Sequence, residues 1–180
     1  MTQLETLATQ GLPGLNHGLA SLDTERLKRM RSHQMRLCFS HINDQRYRME
    51  FVARVRGMEF YNDAASRSIN ATWYGLKGLE GRLIWIVNSI DSVKDYARIL
   101  PVVREKVEMM ICVGPHSEEL HTLFAPVVTN IVDASSLHEA VHTAYCTRME
   151  HTKVVFSPAC PTGNPYEQEG SAFTREVNEL

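Results

Sequence analysis

The pattern of apolar and polar residues over the last three-quarters of the chain predicts alternating strands and helices. Three short apolar runs are typical of strands buried on both faces: Leu83–Val87, Met109–Val113 and Val154–Phe156. Other segments, such as Ser66–Leu79 and Tyr166–Leu180, have the apolar spacing of amphipathic helices. Buried strands that alternate with helices predict a doubly wound, mostly parallel sheet with helices on both faces.

The remaining predicted elements complete a domain over residues 46–180. Arg48–Val55 and Met58–Tyr61 flank Arg56-Gly57 and are predicted to form a β-hairpin with a two-residue turn. We therefore expect a Rossmann-like α/β fold with about six strands and an N-terminal hairpin. The further predicted elements are the strand Val127–Val132, the segment Val93–Glu108, which is expected to be mostly helical despite Pro101, and the helices Ser117–Phe124 and Ser135–Met149.

Residues 1–45 differ from the rest and are predicted to form a separate helical segment or linker. Gly11-Leu12-Pro13-Gly14 interrupts the chain. Asp23–Phe39 follows, with an N-cap aspartate, apolar residues at helical spacing and a basic opposite face. Such a face is typical of a solvated helix rather than of a binding patch.

Composition excludes several classes of function. The chain is 43% hydrophobic and 22% charged, and its formal net charge of −2 predicts no attraction to nucleic acid or anionic membranes. No apolar run reaches the roughly 18 residues that span a bilayer, and the N-terminus lacks the pattern of a signal peptide. Cys38, Cys112, Cys146 and Cys160 form no CxxC pair, which indicates reduced thiols. We expect a cytoplasmic protein.

Polar residues follow several of the predicted strands, at the edge where doubly wound sheets bind ligands. Asp63 and Asp91 are expected to face a cleft there, with capping of the following helices as the alternative. The segment from Lys153 onward reads as strand, small-residue turn and helix. That geometry places backbone N–H groups and a hydroxyl where carboxylates and phosphates bind.

Two stretches carry a resemblance to a known family: Arg48–Val52 and the turn Ser157-Pro158-Ala159-Cys160. Together they resemble the C-terminal domain of the Mur ligases, the ATP-dependent amino-acid ligases of peptidoglycan synthesis, and most of all the D-glutamate-adding members. The resemblance covers about Arg46 to Leu180 and implies the same α/β fold. The pair Asn62-Asp63 matches the start of the family signature Asn-Asp-Ser-Lys-Ala-Thr-Asn.

Other positions depart from the pattern of the family. The Lys of that signature is Ala65 and its Thr is Arg67, while a second, glutamate-binding Lys that follows Asp91 is Ser92. The resemblance implies that these side chains hold nucleotide phosphate and the incoming glutamate. The Arg that usually precedes Gly170 is Glu169, which adds a negative charge nearby. A charge-assisted hydrogen bond contributes about 1.5–3 kcal/mol. Losing two predicts glutamate affinity that is weaker by about 10²- to 10⁴-fold.

The strand ends and the resemblance together give the candidate ligand-binding residues. Thr162 stands where the family has a Ser hydroxyl, Tyr166 stands for a Phe that packs on the substrate, and Arg67 replaces part of the lost positive charge. No catalytic residue and no cofactor are predicted. The candidates are Asn62, Asp63, Arg67, Asp91, Ser157, Thr162 and Tyr166.

The sequence contains no GxxxxGK[ST] loop, which the resemblance assigns, with the magnesium site, to a separate ATPase domain. Because formation of an acyl phosphate needs a site for the γ-phosphate, the chain is not expected to ligate alone. We expect a stand-alone, catalytically degenerate homologue that binds a small anionic ligand or a protein of peptidoglycan synthesis. The alternative is the amino-acid-binding part of a ligase whose ATPase domain is on another chain.

A remote alternative comes from His138-Glu139-Ala140-Val141-His142, which fits the HExxH pattern of zinc hydrolases. The helix also needs an apolar stripe to cover the sheet, and Leu137, Val141 and Ala144 supply one. The histidines are therefore expected at the border of that stripe, without a metal.

Overall fold

A computed structural model describes residues 46–88, 93–114, 117–147, 149, 151–160 and 164–180. These residues all lie in one compact unit, Asn43–Leu180. The predicted helix Asp23–Phe39 and the candidates Asp91 and Thr162 lie outside the described residues.

The described residues form six strands, five α-helices and one 3₁₀ helix. The strands are β1 (Glu50–Val55), β2 (Met58–Asn62), β3 (Leu83–Asn88), β4 (Val107–Val113), β5 (Asn130–Ala134) and β6 (Lys153–Phe156). The helices are α1 (Ile69–Gly78), the 3₁₀ helix Val93–Arg98, α2 (Leu100–Lys106), α3 (Ser117–Phe124), α4 (Leu137–Cys146) and α5 (Tyr166–Asn178).

The six strands make one sheet in the order β1-β2-β6-β3-β4-β5. Only the β1–β2 hairpin is antiparallel; the other pairs in the sheet are parallel. Arg56 and Gly57 both have positive φ angles, 48° and 81°, as the two-residue turn of a tight hairpin requires. The predicted α/β class, the mostly parallel sheet and the hairpin are confirmed.

Two predicted elements differ in detail from the structure. Residues 93–108 do not form one helix, because Pro101 lies in the first turn of α2 and separates it from the preceding 3₁₀ helix. The chain is already extended from Val107, where β4 begins. Strand β5 starts at Asn130 rather than Val127, since the N–H groups of Val127 and Val128 donate to the carbonyl of Phe124 in a turn.

Two apolar layers cover the sheet. On one face, Phe60, Ile86 and Phe156 pack against Val141 of α4 and Phe173 of α5. On the other face, Trp85 and Met110 belong to a layer that includes residues of α1, the 3₁₀ helix, α2 and α3. With helices on both faces, the carboxyl ends of β2, β6, β3 and β4 meet at one open edge. Among the described residues, no helix combines the length and apolar character that crossing a membrane requires.

Candidate functional site

The structure brings three of the predicted candidates together where β2 and β6 end. Asn62 is the last residue of β2, Asp63 follows it, and Ser157 follows β6. The parallel pairing of Asn62 with Phe156 sets these residues side by side. All three have 0% relative exposure. They therefore lie beneath the strand-end edge rather than on its surface.

The carboxylate of Asp63 is surrounded by donors from three other parts of the chain. Ser157 Oγ donates to Oδ2 at 2.8 Å, and the backbone N–H of Met49 donates to Oδ1 at 3.2 Å. The side chain of Ser66 also hydrogen-bonds this carboxylate. Asp63 thus joins the start of the hairpin, the turn before α1 and the turn after β6.

Burial is the largest influence on Asp63. It raises the pKa of this carboxyl from 3.8 to about 6, against the hydrogen bonds from Ser157, Ser66 and Met49 and the nearby charge of Arg48, which lower it. The direction follows from the cost of keeping a charge away from water. The group consequently titrates close to neutral pH.

Ser157 links Asp63 to helix α1 and to Trp85 of β3. Its hydroxyl lies 2.7 Å from Thr72 Oγ1 of α1, and its carbonyl accepts a hydrogen bond from Trp85 Nε1 at 2.9 Å. The Thr72 hydroxyl is also 3.5 Å from the carbonyl of Ser66. The hydroxyl of Ser157 is therefore committed to Asp63 and Thr72, its carbonyl to Trp85 and its backbone N–H to the carbonyl of Ile86.

Asn62 fixes the end of β2 to helix α5. Its Nδ2 donates to the carbonyl of Gly170 at 2.7 Å and to Thr174 Oγ1 at 3.0 Å, and its Oδ1 accepts from the N–H of Ala64 at 3.2 Å. Because the side chain is buried and has partners at both ends, Asn62 acts as a connector between the sheet and α5.

A second polar group, outside the seven candidate ligand-binding residues, lies where β3 ends. Asn88 Nδ2 is 3.4 Å from Glu169 Oε1, and Cys160 Sγ is 3.6 Å from the carbonyl of Asn88. Glu169 is 8% exposed and lies in the first turn of α5, where the helix dipole favours a carboxylate.

The two remaining described candidates are half-buried. Arg67 lies in the turn before α1, and Tyr166 opens α5. The ring of Tyr166 contacts that of Tyr47 edge to face, with a centroid distance of 6.5 Å. A hydrogen bond with Glu167 raises the pKa of Tyr166. Arg67 and Tyr166 are the described candidates with side-chain surface at this edge.

Ala65 occupies the position of the first missing lysine. It is half-buried, and its backbone N–H donates to the carbonyl of Tyr47 at 3.0 Å. The backbone at this position is thus held in place although the side chain is a methyl group. We call the buried, hydrogen-bonded polar residues at this edge the strand-end cluster: Asn62, Asp63, Ser66, Thr72 and Ser157.

The HExxH histidines lie on α4, away from the strand-end cluster. His138 Nδ1 pairs with Glu176 Oε2 of α5 at 2.7 Å, and its ring centroid is 4.4 Å from that of His142. The Glu139 carboxylate accepts from the N–H of Ser135 at 2.7 Å, while its own N–H donates to Ser136 Oγ. Glu139 therefore belongs to the N-terminal cap of α4.

A groove of about 390 Å³ lies between α5 and the start of β1. It contains none of the predicted candidate residues. Its charged lining is mixed, with two arginines and two glutamates. The lining consists of Arg46, Tyr47, Glu50, Ser171, Thr174, Arg175, Asn178 and Glu179.

Sequence comparison finds relatives along almost the whole chain. A UDP-N-acetylmuramoylalanine–D-glutamate ligase of Porphyromonas gingivalis is 32% identical over 179 residues, which is 98% of this chain and 40% of the relative. Proteins of the same name from Christiangramia forsetii and Bacteroides thetaiotaomicron are 30% and 31% identical, with 97% and 98% of this chain and 40% of each relative covered. The chain thus spans about two-fifths of the length of these relatives. No protein-family model matches it.

Solved structures of Mur ligases also superimpose on the chain. MurF ligase from Thermotoga maritima in complex with ADP gives a TM-score of 0.49 at 9% identity, covering 75% of this chain and 32% of that one. MurF from Acinetobacter baumannii gives a TM-score of 0.47 at 10% identity, covering 76% and 31%.

Proposed function

Because this chain is a homologue of UDP-N-acetylmuramoylalanine–D-glutamate ligases along 98% of its length, we propose that it is a catalytically degenerate relative of their C-terminal domain. It acts by binding, in connection with peptidoglycan precursor synthesis, and not as a ligase on its own. The ligand is a small anionic molecule or a protein of that pathway.

One observation carries this proposal. The buried residues that shape the strand-end edge match the family, while uncharged residues stand at the positions of its lysines. Asn62, Asp63 and Ser157 match the family signatures and form a buried hydrogen-bonded cluster. The lysine position of the same signature is Ala65, in a turn whose backbone is held by Tyr47. The chain thus keeps the buried residues that shape the site but lacks the lysine that would contact the ligand. This combination supports binding of a different ligand or partner.

Charge supports the same conclusion. Glu169 is buried at the start of α5, where the resemblance implies an arginine. A carboxylate at the site of a cation disfavours a dicarboxylate such as glutamate by like-charge repulsion.

The test is calorimetric titration of the chain with D-glutamate, ATP and UDP-N-acetylmuramoylalanine, separately and together. We expect no measurable binding of D-glutamate at millimolar concentration. The variant Ala65→Lys, alone and combined with Ser92→Lys, restores positive charge at the two family positions. Each lysine is expected to strengthen D-glutamate binding by about 10- to 150-fold, the equivalent of 1.5–3 kcal/mol.

A matched control separates a restored contact from a general increase in positive charge. Tyr74→Lys adds the same charge on α1, at a side chain that is 65% exposed, and is expected to leave D-glutamate binding unchanged. Tight binding of D-glutamate to the unaltered chain would contradict the proposal. That result would favour the amino-acid-binding part of a ligase completed by an ATPase on another chain.

A further inference from the structure

A cysteine, a histidine and an aspartate meet on the other side of the domain from the hairpin. Cys112 of β4 is paired in register with Asp133 of the edge strand β5. Side chains paired across neighbouring strands point to the same face of the sheet. That face is covered in part by α3, which carries His121 between its buried residues Leu120 and Phe124.

The three side chains are close enough to share one ion. His121 Nε2 lies 2.9 Å from Asp133 Oδ1, and one potential ligand atom from each of the three residues lies within 4.8 Å of the others. Tetrahedral zinc with bonds of about 2.0–2.3 Å holds its ligand atoms roughly 3.5 Å apart. Changes of about 1 Å in the side-chain positions would meet that geometry.

We propose that Cys112, His121 and Asp133 form a zinc site with its fourth position open to solvent. The donor set of one thiolate sulfur, one imidazole nitrogen and one carboxylate oxygen is the mixed set that Zn²⁺ accepts. Cys112 is 0% exposed, whereas the side chains of His121 and Asp133 are 37% and 57% exposed. The ion would therefore be bound by a buried thiolate on one side and face solvent on the other.

The charges of the donor set suit a divalent cation. When Zn²⁺ binds, the sulfur–hydrogen bond of Cys112 breaks, the thiolate electron pair forms the zinc–sulfur bond and the proton passes to solvent. The cation then neutralises its two anionic ligands, the thiolate of Cys112 and the carboxylate of Asp133.

The ion would connect α3 and the edge strand β5 to the buried strand β4. Binding to the folded state alone stabilises a protein by mass action, so zinc is expected to raise the melting temperature. This role is separate from the strand-end cluster around Asp63, and it holds whether or not the proposed binding function is correct.

The experiment uses the full chain, stripped with a chelator, loaded with Zn²⁺ and freed of excess metal by gel filtration. Elemental analysis is expected to find one zinc per chain. His121→Gln and Asp133→Asn change exposed ligands without opening the core. Each is expected to weaken zinc affinity by more than about 10-fold, because even groups that only orient a ligand contribute 10- to 100-fold to affinity. Both variants should therefore lose zinc during gel filtration. Cobalt loading tests the sulfur, because a thiolate-to-cobalt charge-transfer band is expected and Cys112→Ser removes it.

His142→Gln is the matched control, because it removes an HExxH histidine and leaves the three proposed ligands in place. This variant is expected to keep its zinc. Absence of stoichiometric zinc from the unaltered chain overturns the proposal. Zinc that survives His121→Gln, cobalt that binds without the sulfur band, or zinc that is lost in His142→Gln overturns it as well.

Discussion

At the scale of single residues, Asp63 has the most unusual environment at the strand-end edge. It is fully buried, receives several hydrogen bonds, and still has a pKa raised to about 6 because desolvation outweighs those bonds. A folded-state pKa above the unfolded value means that the proton stabilises the fold. This contribution is complete below about pH 4 and is lost as the pH rises through about 6.

Asp63→Asn is therefore expected to change how stability depends on pH. A shift from 3.8 to about 6 corresponds to roughly 3 kcal/mol. The free energy of unfolding of the variant, relative to the unaltered chain, should rise by about that amount between pH 4 and pH 7.5. Urea unfolding across this range measures it. Glu105→Gln, at an exposed position, should show no such change. A constant difference between variant and unaltered chain across the range would contradict the assignment.

The substitution Ser157→Ala is a second test of this cluster, because Ser157 is a hydrogen-bond donor to Asp63. The substitution removes the donor to Asp63 Oδ2 and the partner of Thr72 Oγ1, while Trp85 keeps the backbone carbonyl as its acceptor. Leaving buried polar groups without a partner costs about 1–3 kcal/mol, which we expect as the loss in the free energy of unfolding. Ser171→Ala, at an exposed position of α5, should lie within about 0.5 kcal/mol of the unaltered chain in the same urea titration.

The sequence predicted Asn62, Asp63 and Ser157 as neighbouring candidates but not their burial. Their position after strands is visible in the apolar pattern, whereas burial depends on α1 and α5 closing over them. One available signal was Gly75, since a glycine inside a helix costs about 1 kcal/mol relative to alanine. A Cβ on Gly75 would lie 2.9 Å from Asp63 Oδ2, so the glycine lets α1 approach the carboxylate.

At the scale of elements, α5 is held to the hairpin by a close approach at Gly170. An added Cβ at that position would lie 2.5 Å from the ring of Tyr47, and Asn62 Nδ2 bonds the Gly170 carbonyl. Contact of this kind requires glycine, because the Tyr47 ring is 5% exposed and packed in the core. Helix α5 can therefore approach this closely only because residue 170 has no Cβ.

Gly170→Ala is expected to lower the free energy of unfolding by about 1–3 kcal/mol through overpacking against Tyr47. Gly78→Ala is the control within a helix of the same domain, since a Cβ at Gly78 meets nothing within 4 Å. Alanine there should be neutral or stabilise by up to about 1 kcal/mol. Urea unfolding of both variants makes the comparison. Equal effects would show that helix propensity, and not contact with Tyr47, decides the outcome.

The element pattern was predictable where apolar periodicity was strong. The buried strands β3, β4 and β6 and the helices α1, α3 and α5 fall where the sequence places them. The segment Val93–Glu108 is mostly helical, as predicted, but it divides at a proline that begins a new helix, and its last two residues belong to β4. The predicted start of β5 at Val127 is wrong, because this apolar residue closes a turn by donating its N–H to the carbonyl of Phe124. There, local hydrogen bonding overrides the hydrophobic pattern.

At the scale of the whole described domain, stability is expected to be graded across the sheet. β6, β3 and β4 are paired on both sides, and their residues are almost entirely buried. β1 and β5 are edge strands; β1 has an irregular register between Phe51 and Ala53, and Phe51 is 52% exposed. Edges expose backbone hydrogen bonds to water and open at lower free energy than central strands.

Amide hydrogen exchange should therefore be slowest in β3, β4 and β6 and faster in β1 and β5. Exchange in β5 is also expected to depend on zinc, because the ion would join Asp133 of β5 to Cys112 of β4. Zinc is expected to slow exchange in β5 and α3 and to leave β1, at the opposite edge, unchanged. Because β1 is an edge strand remote from the three ligands, it is the internal control. Equal slowing in β1 and β5 would indicate general stabilisation, and no slowing in β5 would indicate that the ion does not bridge the two strands.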